Sequence, residues 1–339
     1  MTPTRTAART GIPAQVTFAA DVGGTWVRTR ARDRGCTTRR TRSPSRLNHP
    51  GRDVALLRAD MVELLCAQAP PGARAALSFG AAVDHLTGQV YGSAPLWGAE
   101  AEPYDLLADL RLRRPDVTWS LVNDVTAALV DFTDRHARPG TRRVGYLTVS
   151  SGIALRVADL ERGRIPVDGW GLQGEVGHLP AMFTHPDPRL SGLPCDCGAP
   201  GHLASFASGP GIARVAERLG QAERGGHPQE WLPDALDQGD AAARRLLRRC
   251  VEPVVNLLRA LWCADPHLDL LGLGGGVVEG LGAHYADAVR EGLAEATSYA
   301  DRGRSPSWLA ERLVFCGPGA VDPLRGAERV DRWLPGIVP

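Results

Sequence analysis

The sequence predicts an α/β protein of two similar domains that face each other across a cleft. Residues 16–30 and 144–158 share one plan, in which a strand, a turn of small residues and a second strand follow one another. Apolar strands at 75–79, 119–122 and 268–273 each end in glycine or polar residues. Because α/β sheets bind ligands beyond the carboxyl ends of their strands, a site is expected there.

Composition narrows the function classes. The 339 residues are enough for two domains, and 43% hydrophobic with 23% charged residues is typical of globular proteins. A formal net charge of +1 favours no nucleic-acid partner, and no apolar run is long enough for a membrane span. The chain has no lysine, which excludes Schiff-base chemistry and a lysine-bearing P-loop.

The cysteines and the first residues indicate the compartment. Seven cysteines, an odd and scattered number, do not resemble a secreted disulfide framework, so a cytoplasmic protein is expected. Residues 1–14 lack an apolar segment and are predicted to be a disordered leader rather than a signal peptide.

Apolar periodicity and turn signals place the elements in order. The predicted strands are 16–22, 27–30, 75–79, 119–122, 144–149, 155–158, 268–273 and 312–315. The predicted helices are 50–68, 106–112, 126–132, 208–219, 241–263, 283–296 and a short last one at 321–333. Residues 223–240, with glycine, proline and charge, are predicted to be a surface excursion.

The two hairpin turns are candidate phosphate-binding loops. The first reads Asp21-Val22-Gly23-Gly24-Thr25, and adjacent glycines let backbone amides approach an anion closely. A carboxylate before them can hold Mg²⁺ directly or through water. The second reads Ser150-Ser151-Gly152, where small residues again permit a phosphate cradle. Either pattern is also typical of an ordinary turn.

Two further strand ends carry candidate site residues. Asn123-Asp124 follows one strand and precedes a helix, so Asp124 is either a ligand-facing carboxylate or a helix cap. Gly274-Gly275-Gly276 follows another strand, and three glycines offer a flat surface for a nucleotide base or phosphate.

Four nitrogen and sulfur ligands lie between Gly174 and His202. A tetrahedral structural zinc requires four such ligands, and the candidates are His178, Cys195, Cys197 and His202. Because protein would fill all four positions, the metal would shape a loop and hold Glu175 in place. The usual spacing is C-x₂-C, so two free thiols with two unrelated histidines remain the alternative from spacing alone.

The order of these motifs, followed by Ser208-Gly209, resembles the ROK (repressor, ORF, kinase) family of sugar kinases over residues 16–325. The resemblance implies an actin-like ATPase, ribonuclease H-like fold of two α/β domains around a cleft, with ATP in the cleft and a zinc-stabilised sugar loop. It divides the chain into a small domain at 15–124, a large domain at 125–320 and a C-terminal helix at 321–339 that returns to the small domain. Members are commonly homodimers.

The resemblance also implies a role for each motif residue. Asp124 matches the family's general base, and Asp21 matches the carboxylate that helps hold Mg²⁺. The nucleotide-binding positions are Gly23, Gly24 and Thr25 in the first loop, Ser150, Ser151 and Gly152 in the second, and Gly274, Gly275 and Gly276 on the adenosine side. The acceptor-binding positions are Asn123, Glu175 and His178, and the zinc ligands are His178, Cys195, Cys197 and His202.

Several positions depart from the family. Ser150-Ser151-Gly152 replaces Gly-Thr-Gly, His202 replaces the third zinc cysteine, Ala204 replaces a glutamate that grips sugar hydroxyls, and the loop 93–97 lacks an asparagine. Losing a hydroxyl-reading carboxylate changes acceptor discrimination. The expected activity is therefore ATP-dependent phosphorylation of the primary hydroxyl of a glucose-like sugar or of a C7-cyclitol of the valiolone type.

Two other readings compete with a kinase. ROK transcriptional regulators bind DNA through an N-terminal winged helix-turn-helix, for which the early Asp21 loop leaves little room. A non-catalytic sugar-sensing protein would fit Ser150-Ser151 and Ala204, but it has no use for both Asp124 and Asp21.

Overall fold

The computed structural model describes residues 15–32, 35–93, 95–98, 102–221, 226–295, 298–301 and 303–332. The predicted leader, 1–14, and the end of the predicted C-terminal helix, 333–339, lie outside the described residues. The predicted boundaries between domains are not tested by any observation and stay predictions.

The first half of the chain forms one larger and one smaller sheet. Its strands are β1 (Phe18–Val22), β2 (Trp26–Ala31), β3 (Thr37–Arg42), β4 (Arg74–Phe79), β5 (Ala82–Asp84), β6 (Gln89–Gly92), β7 (Tyr104–Asp105) and β8 (Thr118–Asn123). The larger sheet has the order β3-β2-β1-β4-β8, in which β1 and β2 are an antiparallel hairpin and β1, β4 and β8 run parallel. Strands β5, β6 and β7 form the smaller sheet.

The second half repeats the central part of this plan. Its strands are β9 (Arg143–Val149), β10 (Ile153–Asp159), β11 (Leu268–Gly274) and β12 (Leu313–Phe315). They are ordered β10-β9-β11-β12, again with an antiparallel hairpin followed by parallel partners. The predicted α/β fold with two similar halves is confirmed.

Helices pack against both sheets, and two of them contribute to a core that the two halves share. They are α1 (Val54–Gln68), α2 (Leu106–Arg113), α3 (Asp124–His136), α4 (Ala204–Ala207), α5 (Gly209–Arg218), α6 (Pro228–Asp237), α7 (Ala241–Ala264), α8 (Gly276–Ala294), α9 (Pro306–Arg312) and α10 (Pro323–Ala327). Helix α3 lies in a shared core with residues of both sheets and of α10. A side chain at Gly326 would come within 1.7 Å of the Ala127 carbonyl oxygen, so glycine permits this close helix contact.

One sequence prediction is corrected. Within 223–240, predicted as a surface excursion, residues 228–237 form α6, which His227 caps and which buries Leu232 and Leu236 in the core of the second half, while 223–225 lie outside the described residues. The helix predicted at 283–296 is confirmed up to Ala294 as the part of α8 that follows a break at Gly282, and a short helical part that begins at Gly276 precedes it. No helix in the described part of the chain is both long and apolar enough to cross a membrane.

Candidate active site

The first hairpin turn joins β1 to β2 and is braced from behind. The Gly23 amide donates to the Trp26 carbonyl at 3.0 Å, and the Asn48 side chain donates to the Thr25 carbonyl at 2.8 Å. A Cβ on Gly24 would lie 2.5 Å from Cβ of Pro95, so only glycine fits against this loop. The predicted first phosphate loop is thus a closely packed turn.

Asp21, at the end of β1, is held by its register neighbours on both adjoining strands. Arg28 of β2 donates to its Oδ2 from Nη2 at 2.7 Å and from Nε at 3.0 Å. Ser78 of β4 donates to its Oδ1 at 2.8 Å. Sequence analysis found the carboxylate but neither partner, because strand register is not readable from one sequence.

The junction of β8 with α3 separates the two predicted roles of Asn123 and Asp124. The Asn123 Oδ1 caps α3 by accepting from the Val125 and Thr126 amides, while its Nδ2 donates to the Ala81 carbonyl at 2.9 Å. The capping role considered for Asp124 therefore belongs to Asn123. The Asp124 carboxylate accepts from the Val125 amide at 2.9 Å through Oδ1, which leaves Oδ2 for another partner.

Asp124 lies beside the first turn. A Cβ placed on Gly80 would be 3.5 Å from Asp124 Oδ2 and 3.7 Å from the Gly23 Cα, so the three share one corner of the cleft. Burial, and then the negative charge of Asp21, raise the pKa of Asp124 to about 7, although the Val125 amide opposes this. A carboxylate with a pKa near neutrality suits proton transfer.

The second hairpin turn meets the starts of two helices. The Ser150 amide donates to the Gly152 carbonyl, and the Ser150 carbonyl accepts from the Gly209 amide at the start of α5, both at 2.8 Å. A Cβ on Gly276, the first residue of α8, would be 3.5 Å from Ser150 Oγ. Gly275 has φ of 96° and lies against Thr148, where a side chain would be strained and would clash. The second predicted phosphate loop and the glycine triplet therefore adjoin.

The two turns face each other. Glu279, in the first turn of α8, has its pKa raised by burial, and the positive charge of Arg28 on the first hairpin opposes this shift. A cavity of about 240 Å³ opens beside the start of α8. It is lined by Ile212, Gln229, Leu232, Gly276, Val277, Gly280 and Leu281. This apolar space next to the glycine triplet is suited to a nucleotide base.

A larger cavity, of about 710 Å³, lies elsewhere, between α7, α8 and the loop around His185. Arginines and glutamates such as Arg248 and Glu291 line it, and these two pair at 2.9 Å. Its lining includes none of the predicted site residues, so cavity size does not identify the catalytic cleft here.

The four predicted zinc ligands converge. Ligand atoms of His178, Cys195, Cys197 and His202 all lie within 4.8 Å of one another. The Cys195 sulfur is 3.6 Å from His178 Nδ1, and the Cys197 sulfur is 3.2 Å from His202 Nδ1. Two neutral imidazoles and two thiolates at this spacing fit a tetrahedral structural zinc. The alternative of unrelated thiols and histidines does not explain their convergence.

Glu175 and Ala204 each lie close in sequence to a ligand of the histidine and cysteine cluster. Glu175 precedes a short 3₁₀ turn, Val176–His178, which places it three residues from a cluster ligand. Its side chain is partly exposed, and burial raises its pKa while Arg156 opposes this. Ala204 begins α4 and is buried. Sequence analysis missed Arg156; the signal available was an arginine between two alanines on one face of β10, Ala154-Leu155-Arg156-Val157-Ala158.

Comparison with known proteins extends these observations. The family model described as the ROK family matches residues 17–301. A 2-epi-5-epi-valiolone 7-kinase from Actinoplanes sp. is 42% identical over 333 residues, which covers 91% of this chain and 90% of the relative. A C(7)-cyclitol 7-kinase from Streptomyces hygroscopicus subsp. jinggangensis is 30% identical over 193 residues, 52% of each chain. A ROK hexokinase structure from Thermus thermophilus has a TM-score of 0.64 at 23% identity and covers 92% of this chain and 96% of its own.

Proposed function

The chain belongs to the ROK family, and from this premise we propose that it is an ATP-dependent kinase that phosphorylates the 7-hydroxyl of a valiolone-type C7-cyclitol. The family and the α/β fold predicted from the motif order are confirmed. The acceptor class is supported by the activities of the two cyclitol kinases to which the chain is similar. The main support for catalysis is the Asp124 carboxylate, which lies in the cleft beside the first turn and whose pKa is raised to about 7.

Asp124 is assigned as the general base. As the acceptor hydroxyl oxygen attacks the terminal phosphorus of ATP, its proton passes to Asp124, the new O–P bond forms, and the bond to the ADP oxygen breaks. The Val125 amide fixes Oδ1 at 2.9 Å, so Oδ2 is the oxygen that takes the proton. Asn123 supports this geometry by capping the helix on which Asp124 sits.

The second turn is assigned to the phosphates of ATP. Helices α5 and α8 both begin there, and helix N-termini stabilise anions through amides and the helix dipole. At α5 the Gly209 amide is already bonded to the Ser150 carbonyl, and the Gly211 amide to the Ser208 hydroxyl. The amides at the start of α8 are therefore the ones assigned to the phosphates. Ser150 and Ser151 each carry a hydroxyl group that can donate to phosphate oxygens. The neighbouring 240 Å³ cavity is the proposed place of the base.

The residues present fit a zinc ion, and they fit a magnesium ion that is held through one oxygen of Asp21. His178, Cys195, Cys197 and His202 would hold zinc, which supplies a structural clamp on the acceptor loop and no open coordination position. Asp21 has both oxygens engaged by Arg28 and Ser78. Oδ2 already accepts two donors from Arg28, so we assign Mg²⁺, bound directly or through water, to the lone pair that Ser78 leaves free on Oδ1.

A coupled assay of ADP release tests this function. We expect turnover with a valiolone-type cyclitol and ATP, with the phosphate on the primary oxygen by ³¹P NMR, and none with the Asp124→Asn variant. Turnover restricted to glucose would show that the acceptor class is wrong, and absence of ADP release with every cyclitol and hexose would refute the kinase assignment. The homodimer expected from the family is tested separately by light scattering.

A further inference from the structure

Arg156 is a buried cation on an apolar face of β10. Its side chain is 1% exposed, and its neighbours on that face, Ala154 and Ala158, pack into the core that α3 shares with both sheets. A charge buried among apolar groups is costly unless opposite charge or hydrogen bonds compensate it. Arg156 therefore needs hydrogen-bond acceptors or carboxylates close to its guanidinium group.

The partners of Arg156 lie on β10 itself and on the acceptor loop, which comprises residues 160–203 between β10 and α4. Nη1 of Arg156 donates to the Leu155 carbonyl and Nη2 donates to the Gly171 carbonyl, both at 3.2 Å. Nη2 also lies 4.0 Å from Glu175 Oε1. The buried Nε–H has no hydrogen-bond partner among the described residues. Main-chain contacts thus leave much of the guanidinium charge to be balanced by carboxylates.

Two carboxylates of the proposed site supply that balance. Glu175 and Asp124 are the first two acids whose charge acts on Arg156, with Asp168 third. Glu175 is 30% exposed and reaches the cleft, whereas Arg156 stands behind it and is too buried to touch an acceptor. Arg28, the cation of the first hairpin, is bound to Asp21 instead. Arg156 is therefore placed to reduce the negative field that Glu175 exerts on a bound acceptor.

We propose that Arg156 is a positioning residue that sets the charge selectivity of the acceptor site. By tying the Gly171 carbonyl and balancing Glu175 from behind, it adapts the site to a neutral polyhydroxylated ring and lowers its preference for an acceptor that carries a protonated amine. This inference rests on the proposed kinase function. It does not require the acceptor to be a cyclitol.

The test compares matched neutral and cationic acceptors at about pH 6.5, where an amine with a pKa near the α-amino range of about 7.7–8.0 is still mostly protonated. The pairs are a valiolone-type ketone with its amine counterpart, and glucose with glucosamine. We expect wild type to favour the neutral member in kcat/KM. Arg156→Gln should shift the ratio toward the amine by about tenfold, since it leaves Glu175 uncompensated at close range. Arg156→Lys should keep the wild-type ratio because it keeps the charge.

Arg259→Gln is the matched structural control. Arg259 is also a partly buried arginine that donates from Nη2 to a main-chain carbonyl, that of Gly292, at 2.7 Å. Gly292 lies in the part of α8 beyond the break at Gly282, and Arg259 and Gly292 line the larger cavity, whose lining includes none of the predicted site residues. This variant should lose stability in a thermal melt without changing the ratio of neutral to cationic turnover.

Should Arg156→Gln not fold, Glu175→Gln gives the opposite change. It removes the charge that Arg156 balances, so the ratio should move toward the neutral acceptor. The inference is overturned if Arg156→Gln leaves the ratio within about twofold, if Arg156→Lys behaves like the glutamine variant, or if Glu175→Gln fails to disfavour the amine. If only hexoses are turned over, the cyclitol assignment fails while the glucose and glucosamine pair still tests Arg156.

Discussion

The two halves of the molecule share a sheet plan but carry different groups at the equivalent turn. In the first half Asp21 lies at the end of β1, just before the turn, and is bound to Arg28 at 2.7 Å, and the turn adjoins Asp124. In the second half the turn between β9 and β10 carries Ser150 and Ser151, without an ionisable side chain, beside the starts of two helices. The same sheet plan therefore supplies ionised groups on one side of the cleft and amide and hydroxyl donors on the other.

The halves also differ after the second strand of each hairpin. In the first half the chain returns as β3, which pairs with β2 along its whole length. In the second half the chain leaves β10 through the bridge between Asp159 and Arg164 and enters the loop that the histidine and cysteine cluster holds. A strand is fixed by main-chain hydrogen bonds, whereas this loop depends on its ligands.

Removal of the proposed base in the first half should have the largest effect on activity. Asp124→Asn keeps the shape of the side chain but cannot accept the proton, so kcat should fall by about 10³ or more. Binding of ATP, which the proposal assigns to the second half, should remain within about twofold by calorimetry. An active Asn variant would remove Asp124 from the mechanism.

The melting temperature of Asp124→Asn shows whether the variant is correctly folded. A carboxyl whose pKa rises from 3.8 to about 7 on folding costs stability once pH exceeds its ordinary value, and the cost is complete above pH 7. Asp124→Asn should therefore melt a few degrees above wild type at pH 8 and show no gain at pH 4. A lower melting temperature at pH 8 would indicate that the variant is damaged.

Acidification should produce the next largest effect. Asp124 acts as a base only when ionised, and its pKa is about 7 in the free protein. Below that value kcat/KM should fall by about tenfold per pH unit, which amounts to roughly a hundredfold at pH 5. The acid limb of kcat/KM measured between pH 5 and 9 tests this. A midpoint near 4 would mean that Asp124 is not perturbed.

How much of this site was predictable depends on the range of the interactions. Local patterns in the sequence indicate the hairpins, Asp124 at a strand end and the four predicted zinc ligands. These features could therefore be predicted. The contacts of Asp21 with Arg28 and Ser78 depend on strand register, and that of Arg156 with Glu175 depends on how a loop folds back. Single-sequence patterns contain neither.

The missed elements have similar causes. Strand β3 is largely exposed along its arginines and threonines and shows no alternation of apolar with polar residues. Helix α6 was hidden by Pro228 and Pro233, although proline at the first helical position is favourable. In both places tertiary pairing decides a structure that local composition does not indicate.

Loss of the metal cluster should affect only the second half. Cys195→Ser, or a chelator, should remove one zinc equivalent and raise the acceptor KM about tenfold or more, because Glu175 and His178 lose their anchor. The KM for ATP should change less than twofold. Cys263→Ser, at an exposed free thiol in α7, is the control and should change neither. Active protein without zinc by elemental analysis would contradict the assignment.

The smallest expected effects come from one matched substitution in each turn. Gly24→Ala places a Cβ 2.5 Å from that of Pro95 and should cost about 1–3 kcal/mol of unfolding free energy.

Gly152→Ala meets no atom within 4 Å in the described part of the chain, so it should leave stability nearly unchanged. Its methyl group would instead stand on the exposed second turn and raise the KM for ATP several-fold. Denaturant unfolding and initial rates, measured on both variants, separate a turn that is packed against its own domain from one that is open to a ligand. Equal stability losses in the two variants would mean that the turns do not differ in this way, and an unchanged KM for ATP in Gly152→Ala would place the phosphates elsewhere.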